Sequence, residues 1–110
     1  NNYKIKHKAK KIIKDSIYLI PELYKKINKN IRIISNPGCY PTSIQLPLVP
    51  IIKDNLIKIN DITIDSKSGY SGAGKNLKKK FTHKNLYSSI YAYNTKHHRH
   101  VCEIDQELLK

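Results

Sequence analysis

The chain has 110 residues, 39% of them hydrophobic, and a formal net charge of +13 at pH 7. This length suits one small domain or a piece of a larger protein. No stretch approaches the roughly 20 apolar residues that a membrane span needs, so we expect no membrane partner. Because the chain starts at Asn1, with neither Met nor a signal peptide, we expect an internal fragment of a cytoplasmic protein.

The excess of 21 Lys and Arg over 8 Asp and Glu is typical of proteins that bind polyanions. Its distribution argues against a nucleic-acid partner. Only Arg32 and Arg99 are arginines, and the lysines are spread along the chain, as in proteins from AT-rich genomes. A small basic polyanion-binding module stays open as an alternative, because the eight tyrosines could stack on bases.

The first predicted elements are a helix and a strand. Residues 1–16 read as a loop or a fraying helix. A short helix is predicted over 19–30, because Pro21 suits a first helical turn and Glu22 suits its positive end. The β-branched run at 31–35, stopped by Asn-Pro, predicts a buried strand.

A second helix is predicted after Pro41. Thr42 and Ser43 are residue types that cap helices, and the apolar positions that follow recur at helical spacing. Pro47 and Pro50 are expected to kink or shorten this helix.

The rest of the chain predicts two strands, at 59–68 and 89–94, separated by a glycine loop and by residues 77–86, whose pattern is ambiguous. A last helix opens with "EIDQELLK" at 103–110. This order of elements predicts a fold of the α/β or α+β class.

Cys39 lies between two prolines in "NPGCYPT", just before the predicted second helix. The unpaired N–H groups and the positive end of a helix favour a thiolate there, which would be nucleophilic. The alternative is a small buried apolar residue in a turn, the common state of a free cysteine. Because Cys39 and Cys102 form no CxxC pair, two free thiols in a reducing compartment are expected.

"SGYSGAGKN" at 68–76 nearly matches the nucleotide-binding P-loop. The match runs from Gly69 to Lys75 and fails at Asn76, where a hydroxyl residue would bind magnesium. Glycine-rich loops let backbone N–H groups approach a phosphate or a cofactor. A flexible turn is the alternative.

"KHHRHVCEI" at 96–104 contains a candidate acid/base. His98 and His100 would share one face of an extended strand. Two histidines do not make a metal site, so no metal is expected. A histidine near Cys39, oriented by the carboxylate of Glu103, would instead serve proton transfer. The alternative is a solvated or packed cluster.

These three motifs together resemble the N-acetyl-γ-glutamyl-phosphate reductase family, which is related to aspartate-semialdehyde dehydrogenase. "NPGCYPT", "SGYSGAGK" and "HRHVCEI" occur in that family's order and spacing, and "LIPELY" is similar to its "GLPELY". Two departures are evident. Cys102 stands where the family often has proline, and the family's amino-terminal glycine-rich cofactor loop is absent from this sequence.

The resemblance implies a fold of α/β and α+β elements. Residues 1–38 would be the C-terminal end of a Rossmann-type NAD(P)-binding domain. Residues 39–110 would be part of a catalytic and dimerisation domain like that of glyceraldehyde-3-phosphate dehydrogenase. A homo-oligomer is expected for the full-length protein.

The resemblance also implies the chemistry. The thiolate of Cys39 attacks N-acetylglutamyl 5-phosphate, phosphate leaves, and NADPH reduces the resulting thioester to the semialdehyde, a step of arginine biosynthesis. His98 would be the acid/base, with His100 as the alternate, and Glu103 would orient the ring or contact substrate. Arg99 would hold a substrate carboxylate or form a structural ion pair. NADP would meet a set of small loop residues: Ser68, Gly69, Ser71, Gly72 and Gly74. A related semialdehyde dehydrogenase acting on another acyl phosphate stays open.

Overall fold

The computed structural model describes residues 6–76 and 88–109. These residues contain three α-helices, α1 at Lys10–Ile13, α2 at Cys39–Lys53 and α3 at Val101–Leu108, and two strands, β1 at Ser16–Tyr18 and β2 at Ile33–Ser35. Short 3₁₀ segments occupy Pro21–Leu23 and Tyr70–Asn76. The predicted mixture of helix and strand is confirmed, whereas the Rossmann-type part stays a prediction.

β1 and β2 form a parallel pair in which Ile17 faces Ile34. The backbone N–H of Leu19 continues the ladder by donating to the carbonyl of Ser35 at 3.3 Å. The predicted strand at 31–35 is therefore confirmed, but its predicted burial is wrong. Ile33 and Ile34 are each 45% exposed, because the buried side chains lie beyond the end of β1 rather than over β2.

The predicted helix at 19–30 is wrong beyond a single turn. Leu19 and Ile20 are extended and buried, and the 3₁₀ segment covers only Pro21–Leu23. Further along, the side chain of Asn28 accepts a hydrogen bond from the N–H of Asn30 at 2.9 Å. Asparagine that bonds to nearby backbone in this way competes with helix formation.

Helix α2 begins earlier than predicted. Gly38 is its N-cap and Cys39 its first residue, while Thr42 and Ser43 are already helical. Their hydroxyls donate backwards to the carbonyls of Pro37 and Tyr40, at 2.9 and 3.0 Å, and cap nothing. The helix also continues through both internal prolines to Lys53, so the expected shortening is wrong.

The predicted strands at 59–68 and 89–94 are wrong. In the described part of the chain, residues 62–69 and 89–93 belong to neither a helix nor a strand. Residues 62–67 instead lie along α2 and form a groove with it. The ambiguous stretch at 77–86 lies outside the described residues.

The core is small and centres on α2. Leu19 and Ile20 from the end of β1 pack with Ile44 and Val49 of α2, and α3 packs on the same helix. None of the helices among residues 6–76 and 88–109 is long and apolar enough to cross a bilayer. Helix α2 therefore connects β1 to α3. It positions both the cysteine motif at its own start and the histidine motif before α3.

Candidate active site

Cys39 is exposed and starts α2 in a strained conformation. Its φ is 54°, in the left-handed region that residues with a Cβ rarely adopt. Strain of this kind is commonly found at functional sites. The exposed thiol contradicts the alternative of a buried apolar residue, and it lies where the free N–H groups of a 15-residue helix collect positive potential.

Tyr40 connects the cysteine motif to the histidine motif. Its ring centroid lies 5.4 Å from that of His98 and 6.1 Å from that of His100, both edge-on. The ring of Tyr93 lies 6.3 Å from Tyr40 on the same side. The fold therefore brings the segment around 93–100 to Tyr40, the residue that follows Cys39 at the start of α2.

Tyr93 stays a neutral phenol in this cluster. Its hydrogen bond with Tyr40, then burial and the nearby charges of Tyr40 and Cys39, raise the pKa of Tyr93 to about 12, against a smaller opposing effect of Arg99. Sequence reasoning missed Tyr40 and Tyr93. Only the adjacency of Tyr40 to Cys39 could have indicated the first.

The neutral imidazole of His98 has one preferred tautomer. Its Nδ1 accepts a hydrogen bond from the backbone N–H of His100 at 3.2 Å. The proton of the neutral ring is therefore on Nε2, which lies 3.4 Å from the hydroxyl of Tyr93. The two imidazoles share one side, 4.8 Å apart between centroids, although they lie in a turn and not in the predicted strand.

His100 is held neutral. Burial, followed by the positive charge of Arg99 and the proximity of His98, lowers the pKa of His100. Its Nε2 accepts a hydrogen bond from Nε of Arg99 at 3.2 Å, and its buried Nδ1 has no hydrogen-bond partner among the described residues. The two histidines therefore differ in their partners. The proton-bearing Nε2 of His98 faces the hydroxyl of Tyr93, whereas Nε2 of His100 faces Arg99.

Arg99 is exposed beside this pair. Within the part of the chain that the structure describes it forms no ion pair, so the structural ion pair considered from the sequence is not found there.

Glu103 lies in the first turn of α3. Its Oε2 accepts a hydrogen bond from the hydroxyl of Tyr18 at 3.0 Å, and burial raises the pKa of this carboxyl. The structure thus connects Glu103 to β1. Its predicted role in orienting an imidazole stays a prediction.

Two glycines of the loop stand where a side chain would be unfavourable, one through its backbone and one through a close neighbour. Gly74 interrupts the 3₁₀ segment with φ 56° and ψ −131°. A Cβ on Gly72 would lie 2.8 Å from Oγ of Ser68. The start of the loop is placed near the site, because Ser66 lies 3.3 Å, hydroxyl to hydroxyl, from Ser43 in the first turn of α2.

Both cysteines are free thiols, as expected. Cys102 is half-buried and its Sγ donates to the carbonyl of Arg99 at 3.2 Å. Over residues 6–76 and 88–109, no three His, Cys, Asp or Glu side chains converge on a possible metal position. The site is therefore described by one exposed thiol, two unlike imidazoles, two phenols and a nearby glycine loop.

A family profile described as "Semialdehyde dehydrogenase, dimerisation domain" matches residues 39–110, which include Cys39, the glycine loop and the histidine motif. The chain belongs to the semialdehyde dehydrogenase family. No solved structure matches it significantly.

Similar proteins have a more specific name. A "Probable N-acetyl-gamma-glutamyl-phosphate reductase, chloroplastic" of Oryza sativa subsp. japonica is 48% identical over 93% of this chain and 25% of its own length. N-acetyl-gamma-glutamyl-phosphate reductases of Clostridium novyi and Afipia carboxidovorans are 44% and 39% identical, over 96% and 98% of this chain. The resemblance drawn from the motifs is confirmed. The chain spans 25% to 31% of the length of these relatives.

Proposed function

We propose that this chain is the nucleophile-bearing segment of an N-acetyl-γ-glutamyl-phosphate reductase. The whole enzyme would convert N-acetylglutamyl 5-phosphate, NADPH and a proton into N-acetylglutamate 5-semialdehyde, phosphate and NADP⁺, a step of arginine biosynthesis. The observation that carries the proposal is the exposed, strained Cys39 at the start of α2, with His98 and His100 packed on the neighbouring Tyr40.

Cys39 forms the covalent intermediate. Its sulfur attacks the acyl carbonyl, a C–S bond forms, the bond from carbon to the phosphate oxygen breaks, and phosphate leaves with the electron pair. A thiolate suits this step because it is both a strong nucleophile and a good leaving group. The N-terminal end of α2, where Cys39 is the first residue, stabilises the anion.

His98 is the acid/base residue of the reaction. The backbone of His100 occupies Nδ1, so the proton of the neutral ring is on Nε2, facing Tyr93. Tyr93, with a pKa of about 12, remains protonated at neutral pH. Its hydroxyl oxygen can accept from Nε2 of His98, and its own proton is available to a developing oxyanion. Loss of one such donor typically costs about 10²–10³ in rate.

His100, Arg99 and Glu103 complete the substrate side. Burial and the charge of Arg99 lower the pKa of His100, which favours its neutral form, and the backbone N–H of His100 holds the ring of His98. Arg99 is exposed and supplies the cation for a substrate carboxylate. Glu103, bound by Tyr18, fixes the first turn of α3 beneath the two imidazoles or contacts substrate.

The residues of the glycine loop fit a nicotinamide cofactor. The close approach of Ser68 to the bare α-carbon of Gly72, and the turned backbone at Gly74, leave N–H groups free of Cβ cover. Ser68, Gly69, Ser71, Gly72 and Gly74 would hold NADP(H), which supplies the hydride that reduces the thioester carbonyl.

The proposal includes the domain division and the assembly. Residues 1–38 would end the cofactor-binding domain, and residues 39–110 would be part of the catalytic domain. A homo-oligomer is supported by the description of the matching profile as a dimerisation domain. A semialdehyde dehydrogenase that acts on another acyl phosphate would match the same profile. The names of the relatives favour the N-acetylglutamyl substrate.

The test uses the full-length protein and the reverse reaction, phosphate-dependent reduction of NADP⁺ by N-acetylglutamate 5-semialdehyde. Cys39→Ser should abolish turnover, and Cys102→Ser is the matched control that should retain it. Substantial activity in Cys39→Ser would exclude this sulfur as the nucleophile. Faster turnover of aspartate semialdehyde would transfer the assignment to the related dehydrogenase.

A further inference from the structure

Gln45 is a fully buried polar residue at the centre of α2. Its Nε2 donates to the backbone carbonyl of Glu103 at 2.6 Å and lies 3.4 Å from the hydroxyl of Tyr18. That hydroxyl in turn donates to Oε2 of Glu103 at 3.0 Å. One part-buried network therefore joins β1, α2 and α3 at the first turn of α3.

We propose that Gln45 is a positioning residue for the reaction, fixing the imidazoles of His98 and His100 relative to the thiol of Cys39. The inference rests on the proposed function. Cys39 and Gln45 belong to the same helix, six residues apart. The group held by Gln45 belongs to the segment that begins with the two histidines.

The connection from Gln45 to the histidines runs through a short hydrogen-bonded turn. The carbonyl of His100 accepts from the N–H groups of Glu103 and Ile104, both at 3.1 Å. The hydrogen bond from Gln45 to the carbonyl of Glu103 therefore holds the first turn of α3, which begins at His100, against α2. A shift of α3 along α2 would move both imidazoles away from Tyr40 and Cys39.

Stability alone explains this glutamine poorly. Oε1 of Gln45 is buried and has no hydrogen-bond partner among the described residues, a state that costs free energy. An apolar side chain of similar volume would fill the same space without that cost. It would lack the directional bond that sets one position of α3 on α2, and buried polar networks commonly contribute such uniqueness.

The experiment compares two variants of the full-length enzyme. Gln45→Met keeps the volume and removes the amide. Tyr24→Phe is the matched control. It removes a 3.0 Å hydrogen bond from a phenol to Oε2 of Glu107, which lies on α3 one turn beyond Glu103. The measurements are kcat, the KM of the semialdehyde, the pH profile of kcat and the unfolding midpoint.

Gln45→Met should lower kcat by about 10- to 100-fold, as expected for a small displacement of catalytic groups, with the KM nearly unchanged. Its acidic pH limb should shift, because the imidazoles change surroundings. Tyr24→Phe should lower the unfolding midpoint and leave kcat and the pH profile unchanged. Equal kcat losses in the two variants, or wild-type kcat in Gln45→Met, would overturn the proposal.

Two further measurements keep the test decisive. If Gln45→Met does not fold, Tyr18→Phe removes one hydroxyl of the same network and should lower kcat in the same manner, whereas wild-type kcat would overturn the proposal. Imidazole NMR shifts of His98 and His100 report the displacement without turnover. They should move in Gln45→Met and not in Tyr24→Phe, and unmoved shifts would overturn it. A wild-type enzyme with no phosphate-dependent turnover would refute the proposed function instead.

Discussion

The backbone of Cys39 gives a stability prediction opposite in sign to that for an ordinary helical residue. With φ at 54°, the Cβ of Cys39 crowds the following carbonyl, which costs roughly 1–2 kcal/mol for an L-residue. Glycine has no Cβ and adopts this conformation freely. We therefore expect Cys39→Gly to be more stable than Cys39→Ala, although neither variant has a thiol.

The magnitude follows from two opposing effects. Glycine relieves the roughly 1–2 kcal/mol of strain at position 39. Its greater freedom in the unfolded chain costs about 0.4–1 kcal/mol. The net expectation is about 0–1.6 kcal/mol in favour of Cys39→Gly, whereas in an ordinary helix interior alanine is favoured over glycine by about 1 kcal/mol.

Urea unfolding of the two full-length variants measures this difference, provided that the slopes with denaturant agree. Both variants should be inactive in the semialdehyde assay. If Cys39→Ala proves more stable by about 1 kcal/mol, position 39 behaves as ordinary helix and the strain argument is refuted.

Three further predictions concern the loop, the core and the imidazoles. Gly72→Ala should raise the KM of NADPH about tenfold, a cost of about 1.4 kcal/mol, because the new Cβ meets Oγ of Ser68 at 2.8 Å; adding Ser68→Ala should recover part of the loss in steady-state kinetics. Leu19→Ala should lower the free energy of unfolding by about 2–5 kcal/mol, since Leu19 is 0% exposed. Arg99→Gln should raise the pKa of His100 in an NMR titration, because the guanidinium is a cause of its lowering.

The sign of the His100 effect extends to stability. Because the pKa of His100 is lowered by folding, the unfolded chain takes up that proton first as pH falls. The contribution of His100 to the free energy of unfolding is therefore full above pH 6.5 and is lost below it. Arg99→Gln should reduce this acid-induced loss.

Each of these predictions has a contradicting result. An equal KM increase for Gly72→Ala with and without the Ser68 hydroxyl would exclude the steric explanation. A cost for Leu19→Ala below about 1 kcal/mol would show that the site is not packed core. An unchanged His100 titration in Arg99→Gln would show that the guanidinium does not contribute to lowering its pKa.

Local chemistry made part of the fold predictable. The Asn-Pro after β2 and the apolar spacing of α2 are signals carried by neighbouring residues, and both elements were found. Pro21 and Glu22 indicated a helix but account for only one 3₁₀ turn, since Leu19 is held extended by Ser35. The strands expected at 59–68 and 89–94 depend on a pairing partner, which no local pattern reveals.

The candidate site divides in the same way. Cys39, His98 and His100 were identified from motifs, and the structure packs both histidines on Tyr40. Tyr93 and the network of Gln45 could not be found from the sequence, because their roles depend on distant contacts. Tyr18 and Glu103, for example, bond across 85 residues. Such a contact exists only once the chain is folded.

The most direct test of the central claim is to trap the acyl-enzyme. The full-length protein is incubated with N-acetylglutamyl 5-phosphate in the absence of NADPH, digested at low pH and analysed by mass spectrometry. The peptide that contains Cys39 should carry one N-acetylglutamyl group as a thioester that hydroxylamine removes, and the peptide with Cys102 should carry none. An enzyme that turns over but acylates Cys102, or no cysteine at all, would contradict the account.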